Sequence, residues 1–365
     1  MRIGIDGRLW SQTGAGRYIR NLVRELAKID KKNEYILFVK PEDVKNVKFE
    51  IRNSKFEIVK TNIRWHSLQE QFELPKVLNK YNLSLVHFPY FSVPIFYNRP
   101  FVVTIHDLII NHFPTGRAST LPYPLYFLKR FGYQKVLNNA VSRASKIIVP
   151  LPFVKEDLIK TLKVSEEKII VTQEGFDLSI EKGKVGDRVL QVSQTPYFLY
   201  IGNAYPHKNL EILIQGFEKL NSNNIKLLLV GKDDFFYKRL EKKKNENVIF
   251  LHNVTDSELF YLYSHAVAAV SASLMEGFGL LPLEALGAGT IPVVSDIPAF
   301  REVCANVALY FNSKDPSDIA AKLAQASKLI DKEREEILTR GKELLKKFSW
   351  EKMAEDTLEI YGEVV

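Results

Sequence analysis

Two glutamates, Glu276 and Glu284, stand in the run Glu276-Gly277-Phe278-Gly279-Leu280-Leu281-Pro282-Leu283-Glu284-Ala285-Leu286-Gly287-Ala288-Gly289. Residues 266–273 before it are apolar and read as a buried strand. Pro282 suits the first turn of a helix, because its missing amide hydrogen has no helical partner there. The order is therefore strand, glycine loop, helix start. At such a start the amides of Gly279 to Leu281 can point at an anion with the helix dipole behind them, so a diphosphate can be held without a metal. Glu276 on the loop and Glu284 in the first turn would flank that phosphate, one meeting sugar hydroxyls and the other ribose hydroxyls. Spacing alone is equally consistent with a Glu284 that complements the dipole, a solvated Glu276 and glycines that only make a turn.

In Tyr200-Ile201-Gly202-Asn203-Ala204-Tyr205-Pro206-His207-Lys208-Asn209-Leu210 a strand gives way to a loop that opens an amphipathic helix. Lys208 at that mouth can neutralise a departing diphosphate, where negative charge develops as a glycosidic bond breaks. A solvated lysine at a helix start has the same pattern. In Val102-Val103-Thr104-Ile105-His106-Asp107-Leu108 an apolar strand ends in His-Asp. His106 then sits at the strand's end, where an imidazole can hydrogen-bond a substrate hydroxyl or act as acid or base, or it is structural. Thr13-Gly14-Ala15-Gly16-Arg17-Tyr18 joins the first strand to the first helix, and its two glycines permit close backbone approach without making a full dinucleotide fingerprint.

The elements that must position these residues alternate along the chain. Strand candidates at 2–6, 34–40, 55–61, 83–88, 101–107, 146–151 and 168–173 are separated by helix-length segments, the pattern of a parallel sheet crossed by helices. A polar, weakly patterned stretch at 177–195 with Gly183, Gly186 and Pro196 reads as a linker. A second series follows at 197–202, 225–231, 247–253, 266–273, 290–296 and 308–312. Two doubly wound α/β domains are expected, with ligands at the carboxyl ends of strands and the active site in a cleft between the domains.

The 365 residues, 46% hydrophobic and 26% charged, are enough for two separate cores. A net charge of +8 favours anionic ligands without selecting one. Basic residues are dispersed among amphipathic segments, which disfavours nucleic acid. A single cysteine, Cys304, excludes an internal disulfide framework and a multi-thiolate metal site, and fits a reducing cytoplasm. The start at Arg2 to Asp6 reads as a strand rather than a signal peptide, and no stretch approaches the roughly 20 apolar residues of a membrane span.

Together these blocks resemble the family-4 retaining glycosyltransferases, whose GT-B fold is two Rossmann-like doubly wound domains facing across a cleft. The run from Glu276 looks like the family's Glu-x7-Glu signature, and Ser295-Asp296-Ile297-Pro298-Ala299-Phe300-Arg301-Glu302-Val303 resembles its next block. The resemblance implies that Glu276 contacts the donor sugar and Glu284 the ribose, with Phe278, Gly279, Leu280 and Leu281 beside the donor. The Lys208 loop is similar to Gly-x-x-x-Pro-Arg-Lys-Asn, whose lysine binds donor phosphates. His207 stands where many members have arginine and Asn203 where others have a second one, so the clamp is weaker or completed by another side chain. Thr-x-His-Asp implies a contact of His106 near the reacting carbon and a turn or supporting role for Asp107. Gly14 and Gly16, with Arg17 beside them, would approach donor phosphates or acceptor.

Thr172-Gln173-Glu174-Gly175-Phe176-Asp177 is similar to the turn Pro-Asn-Gly-Val-Asp that ends the first domain, departing at Gln173 and Glu174. Phe348-Ser349-Trp350-Glu351 starts a final helix with a serine cap, and in GT-B enzymes that helix returns to the first domain. The implied domains are 1–180 with 349–365, on the acceptor side, and 195–348, binding the nucleotide sugar. The implied reaction retains configuration, with His106, Glu276 and Lys208 catalytic. It uses no metal and no cofactor beyond the nucleotide-sugar donor. Asp233-Asp234 is not the spaced pair of metal-dependent enzymes.

Between Phe113 and Leu137, Phe113, Tyr123, Tyr126, Phe127, Phe131 and Tyr133 interleave with Arg117, Lys129, Arg130 and Lys135. This suits a helix at an anionic membrane surface or a groove for a lipid diphosphate, and equally a core-packing helix with a solvated basic face. The expected acceptor is a glycan or a polyprenyl-diphosphate-linked sugar met at the inner face of the plasma membrane. Trp65-His66-Ser67-Leu68-Gln69-Glu70-Gln71 and Leu83-Ser84-Leu85-Val86-His87-Phe88-Pro89 resemble the O-antigen mannosyltransferase branch, which points to GDP-mannose before a UDP-sugar. Two rivals remain: a GT-B-like UDP-sugar epimerase, and a non-catalytic nucleotide-sugar-binding protein.

Overall fold

A computed structural model describes residues 1–51, 56–114, 122–176, 183–222, 224–242 and 245–365. The chain divides into two compact units, Met1–Gly175 with Ser349–Val365, and Phe176–Phe348.

The first unit is built on β1 (Arg2–Asp6), β2 (Glu34–Val39), β3 (Phe56–Lys60), β4 (Leu85–Phe88), β5 (Phe101–Thr104), β6 (Lys146–Val149) and β7 (Ile169–Val171). These form a parallel sheet in the order β3-β2-β1-β4-β5-β6-β7. Its central strands β4 and β5 are buried along their whole length, as continuous apolar runs covered on both faces must be. Helix Ala15–Ile29 lays Tyr18, Ile19, Leu22, Val23 and Leu26 into the core at helical spacing. The last helix, Trp350–Val364, starts on a Ser349 side chain that accepts from the Lys352 amide, and it buries Trp350, Met353, Ala354, Thr357, Ile360 and Tyr361 in the same cluster.

The second unit holds β8 (Tyr197–Ile201), β9 (Lys226–Val230), β10 (Val248–Leu251), β11 (Ala268–Ser271), β12 (Pro292–Ser295) and β13 (Leu309–Phe311), all parallel, in the order β10-β9-β8-β11-β12-β13. That is a doubly wound order whose direction reverses between β8 and β11. The first sheet reverses likewise between β1 and β4. Crevices at such reversals, beyond the strands' carboxyl ends, are where open α/β sheets hold ligands.

Residues 183–195 correct the linker expectation. They carry a helix, Asp187–Val192, whose Val189 is fully buried among Tyr197, Leu199 and Leu262 of the second unit. One fully buried residue, with Val185 and Val192 only partly buried against the same cluster, is too little periodicity to read as an element. Residues 177–182, with Asp177, lie outside the described residues, as do Lys55 and Arg117.

Candidate active site

Lys208 and Glu276 meet because β8 and β11 are neighbours at the reversal of the second sheet. Each strand delivers its loop to the same edge. Lys208 Nζ donates to both Glu276 oxygens at 2.7 Å, and Ser273 Oγ adds a third bond to Oε1 at 2.7 Å. The two loops are also joined through backbone, Leu274 donating to the His207 carbonyl at 2.7 Å. Asn209, left-handed at φ 60°, ties the Lys208 loop to the Ala272 and Ser313 carbonyls through its side-chain amide, at 3.2 and 2.7 Å. The pair is largely withdrawn from water, with side-chain exposures of 16% and 13%. Burial opposes the charge on Glu276, yet Lys208 and Ser273 outweigh it and hold the carboxyl below its usual range. The solvated Glu276 that spacing also permitted is thereby excluded.

The helix after Glu276 runs Leu280–Gly287 from a left-handed Gly279 (φ 92°), with no side chain capping it. A Cβ at Gly279 would lie 2.6 Å from the Phe300 ring, so both backbone and space demand glycine. With the helix starting at Leu280, Glu284 falls in the second turn, correcting its expected place in the first. It lies beyond the reach of the dipole, which fades within one turn, and its Oε2 accepts from Tyr263 Oη at 2.7 Å. Phe278 is buried edge-on against Phe348, so its side chain packs the loop, while Leu280 and Leu281 are half-buried at the helix start. Asn203 does not extend as a cation substitute: its Oδ1 accepts from the Tyr205 amide at 3.2 Å, closing a turn. His207, stacked with Tyr205, is pushed down to about 4 by burial and by Lys208, and is neutral near pH 7. At the two positions where the family pattern has arginine, neither Asn203 nor His207 therefore supplies a cation near pH 7.

In the first unit His106 follows β5. Its Nδ1 lies 3.0 Å from Glu174 Oε1, beyond β7, and its Nε2 lies 3.1 Å from the Pro89 carbonyl, beyond β4. The Tyr18 ring stands edge-on to it at 5.0 Å. Beneath lies a buried polar chain in which Thr104 Oγ1 donates to Tyr18 Oη at 3.2 Å and contacts His87 Nε2 at 2.8 Å, while His87 Nδ1 meets Tyr361 Oη of the last helix at 2.6 Å. Asp107 accepts from the Ile109 amide at 2.9 Å and makes a turn. Gly14 (φ 61°) starts helix Ala15–Ile29, and a Cβ there would meet nothing, so conformation alone calls for glycine. At Gly16 a Cβ would fall 2.7 Å from the Leu9 and Trp10 carbonyls, so the chain's own backbone leaves room only for glycine. Arg17 lies half-buried on the next residue.

Two features escaped the sequence reading. Glu174 entered it only as a departure from a turn pattern, and the sequence does not say that β7 ends near β5. Arg8 is the other: wholly buried, it bridges Asp6 Oδ2 and Glu70 Oε1 at 2.6 Å each, while Glu70 Oε2 accepts from the His66 amide at 2.9 Å and from Ser92 Oγ at 2.7 Å. One buried carboxylate thus ties together the loops after β1, β3 and β4. Gly175, in the same turn as Glu174, leaves room for Trp350, whose backbone nitrogen would stand 2.3 Å from a Cβ.

Helix Tyr123–Arg143 settles the two readings of the aromatic and basic segment in part. Leu125, Phe127, Leu128 and Phe131 are exposed, so this stretch is not core-packed, whereas Leu137 and Ala140 further on are fully buried. Tyr133 packs edge-on against Phe91 at 4.7 Å and donates to Asn111 Oδ1 at 2.8 Å. Among the described residues no helix is long and apolar enough to cross a membrane, and no three His, Cys, Asp or Glu side chains group as a cation site would need.

Residues 12–180 match the model of Glycosyltransferase Family 4, and residues 187–344 that of the glycosyl transferases group 1. The O-antigen chain mannosyltransferase RfbU of Salmonella typhimurium is 31% identical over 262 residues, 70% of this chain and 69% of that protein. The O-antigen chain mannosyltransferase B of Escherichia coli is 28% identical over 302 residues, 78% of this chain and 75% of its own length. Among solved structures, HepE of Anabaena in complex with UDP-glucose matches with a TM-score of 0.75 at 16% identity, covering 100% of both chains. At that identity the likeness concerns the fold.

Proposed function

The chain belongs to the family-4 glycosyltransferases and has the GT-B fold, and from that premise we propose that it transfers mannose from GDP-mannose, with retention, to a lipid-linked glycan. The observation that carries the catalytic part is the Lys208–Glu276 pair at the switch point of the second sheet. A diphosphate at the free start of helix Leu280–Gly287 meets backbone amides and a lysine ammonium that are already positioned, so little reorganisation is needed as charge develops on the leaving oxygen. Glu276, ionised and fixed by three bonds, is left to accept from sugar hydroxyls when Lys208 turns to phosphate. Glu284, already a partner of Tyr263, takes the ribose. His106 serves the transferred sugar.

In the transfer the bond from C1 to the diphosphate oxygen breaks and its electron pair leaves with the phosphate. The acceptor oxygen attacks the same face of the oxocarbenium-like centre, and its proton passes to the departing phosphate oxygen. Lys208 and the helix amides supply the counter-charge, so the reaction is proposed to need no metal. Mannose is favoured by the names of the two relatives. The acceptor is proposed to be polyprenyl-diphosphate-linked and met at the inner face of the plasma membrane, where the exposed Leu125, Phe127, Leu128 and Phe131 enter the interface and Lys129 and Arg130 meet anionic headgroups.

A thermal-shift screen of nucleotide sugars, followed by transfer assays with and without acceptor and with EDTA, tests this. GDP-mannose should raise the melting temperature most, and be turned over only with acceptor, at an EDTA-independent rate. Conversion of a UDP-sugar without acceptor would replace transfer by epimerisation, and donor binding without turnover on any acceptor would favour a sensor.

A further inference from the structure

Both ring nitrogens of His106 face acceptors. Glu174 Oε1 at 3.0 Å from Nδ1 is a carboxylate oxygen, and the Pro89 oxygen at 3.1 Å from Nε2 is a carbonyl. Neither can donate a proton. A neutral imidazole carries one N–H and one lone pair, so it satisfies one contact and sets its lone pair against the other. Beside an ionised carboxylate only the imidazolium, with two N–H groups, satisfies both.

We propose that Glu174 is a positioning residue that keeps His106 doubly protonated and oriented, so that His106 enters the glycosyl transfer as a cation and not as a base. The inference rests on the reading under Proposed function for its consequence, not for its geometry. Without a lone pair His106 cannot take the acceptor proton, which leaves the departing phosphate oxygen as its destination.

The surroundings agree. His106 is 14% exposed at the side chain and Glu174 8%, so water screens the pair little. Around the ring stand Tyr18 from helix Ala15–Ile29, Tyr90 at 6.5 Å from the loop after β4, His87 from β4 and Asp107 beside it. Burial holds His87 down to about 3, so it is a neutral neighbour and not a competing cation. Burial also disfavours charge on His106 itself, but Glu174, the Pro89 carbonyl and Asp107 outweigh it and leave the imidazole above its usual range.

The test is nitrogen NMR of the intact, histidine-labelled chain, with His106→Gln to assign the resonance. In the wild type both His106 nitrogens should be protonated near pH 7. In Glu174→Gln the titration midpoint should fall by about one to two pH units, the alkaline limb of kcat should move down with it, and Glu174→Asp should restore much of both. A singly protonated His106 in the wild type, or a midpoint unmoved in Glu174→Gln, would overturn the proposal. The NMR arm needs no substrate, so its failure is distinct from a failure to find transferase activity.

Discussion

The two units carry matching devices at the carboxyl edges of their sheets, Lys208 with Glu276 in one and His106 with Glu174 in the other. Each joins side chains 68 residues apart, and each is largely buried. They differ in which group is shifted and in which direction. In the second unit it is the carboxylate, downward, and in the first it is the imidazole, upward. Glu276 is held below its usual range, so the pair's stabilisation is present above the unfolded carboxylate value of about 4.3 and is lost as pH falls through the lower folded value. In the first unit the imidazole is raised, so stabilisation is complete below about 6.5 and is lost as pH rises through the folded value. The second unit's pair thus weakens toward acid pH and the first unit's toward alkaline pH.

The largest effect that sharpens this contrast is on turnover. Lys208→Ala should lower kcat by roughly 10²- to 10³-fold, the usual loss when one preorganised charge stabiliser is removed, with the protein still folded by circular dichroism. A wild-type rate in that variant would leave the second unit's pair structural, and the comparison would collapse.

Next is the backbone that presents the pair. Gly279→Ala should destabilise the second unit by about 1–3 kcal/mol, because φ 92° is strained for alanine and the Phe300 ring must move. It should weaken donor binding in titration calorimetry. A variant as stable as the wild type that binds donor normally would remove the helix start from the site.

Smaller, but aimed directly at the difference, are the pH slopes. All three tryptophans, Trp10, Trp65 and Trp350, lie in the first unit, so fluorescence follows that unit alone. Glu174→Gln should flatten the fluorescence-monitored loss of stability on the alkaline side. Glu276→Gln should leave it unchanged and flatten the acid side seen by circular dichroism, each change being about 1–3 kcal/mol at the pH where the pair is intact. Slopes of the same sign in both units would refute opposite titration.

The smallest effect on stability is at the exposed face of helix Tyr123–Arg143. Leu128→Ser with Phe131→Ser removes side chains that are 68% and 63% exposed and should change stability by less than about 0.5 kcal/mol. Co-sedimentation with anionic vesicles should nevertheless fall several-fold. Equal binding by variant and wild type would take the membrane role away from this helix.

Much of this was legible in the chain. Every expected strand is present, all but the first trimmed at one or both ends, because runs such as Phe101–Thr104 and Lys226–Val230 have the length and apolar character of covered parallel strands. Pro282 and Gly279 marked a helix start, and residue types at Lys208, His106 and Glu276 marked chemistry. Those signals are local, set by what a residue does to its own backbone and nearest turn. Side-chain partnership is not local. That Lys208 finds Glu276 follows from β8 lying beside β11, that His106 finds Glu174 follows from where β7 ends, and that Glu70 joins three loops, one through Arg8 and two directly, follows from the order of β3, β2, β1 and β4. Strand order is chosen by the packing of whole sheets, which no window of sequence contains. Only the tertiary structure set Glu174, which the sequence marked merely as a departure from a turn pattern, beside His106.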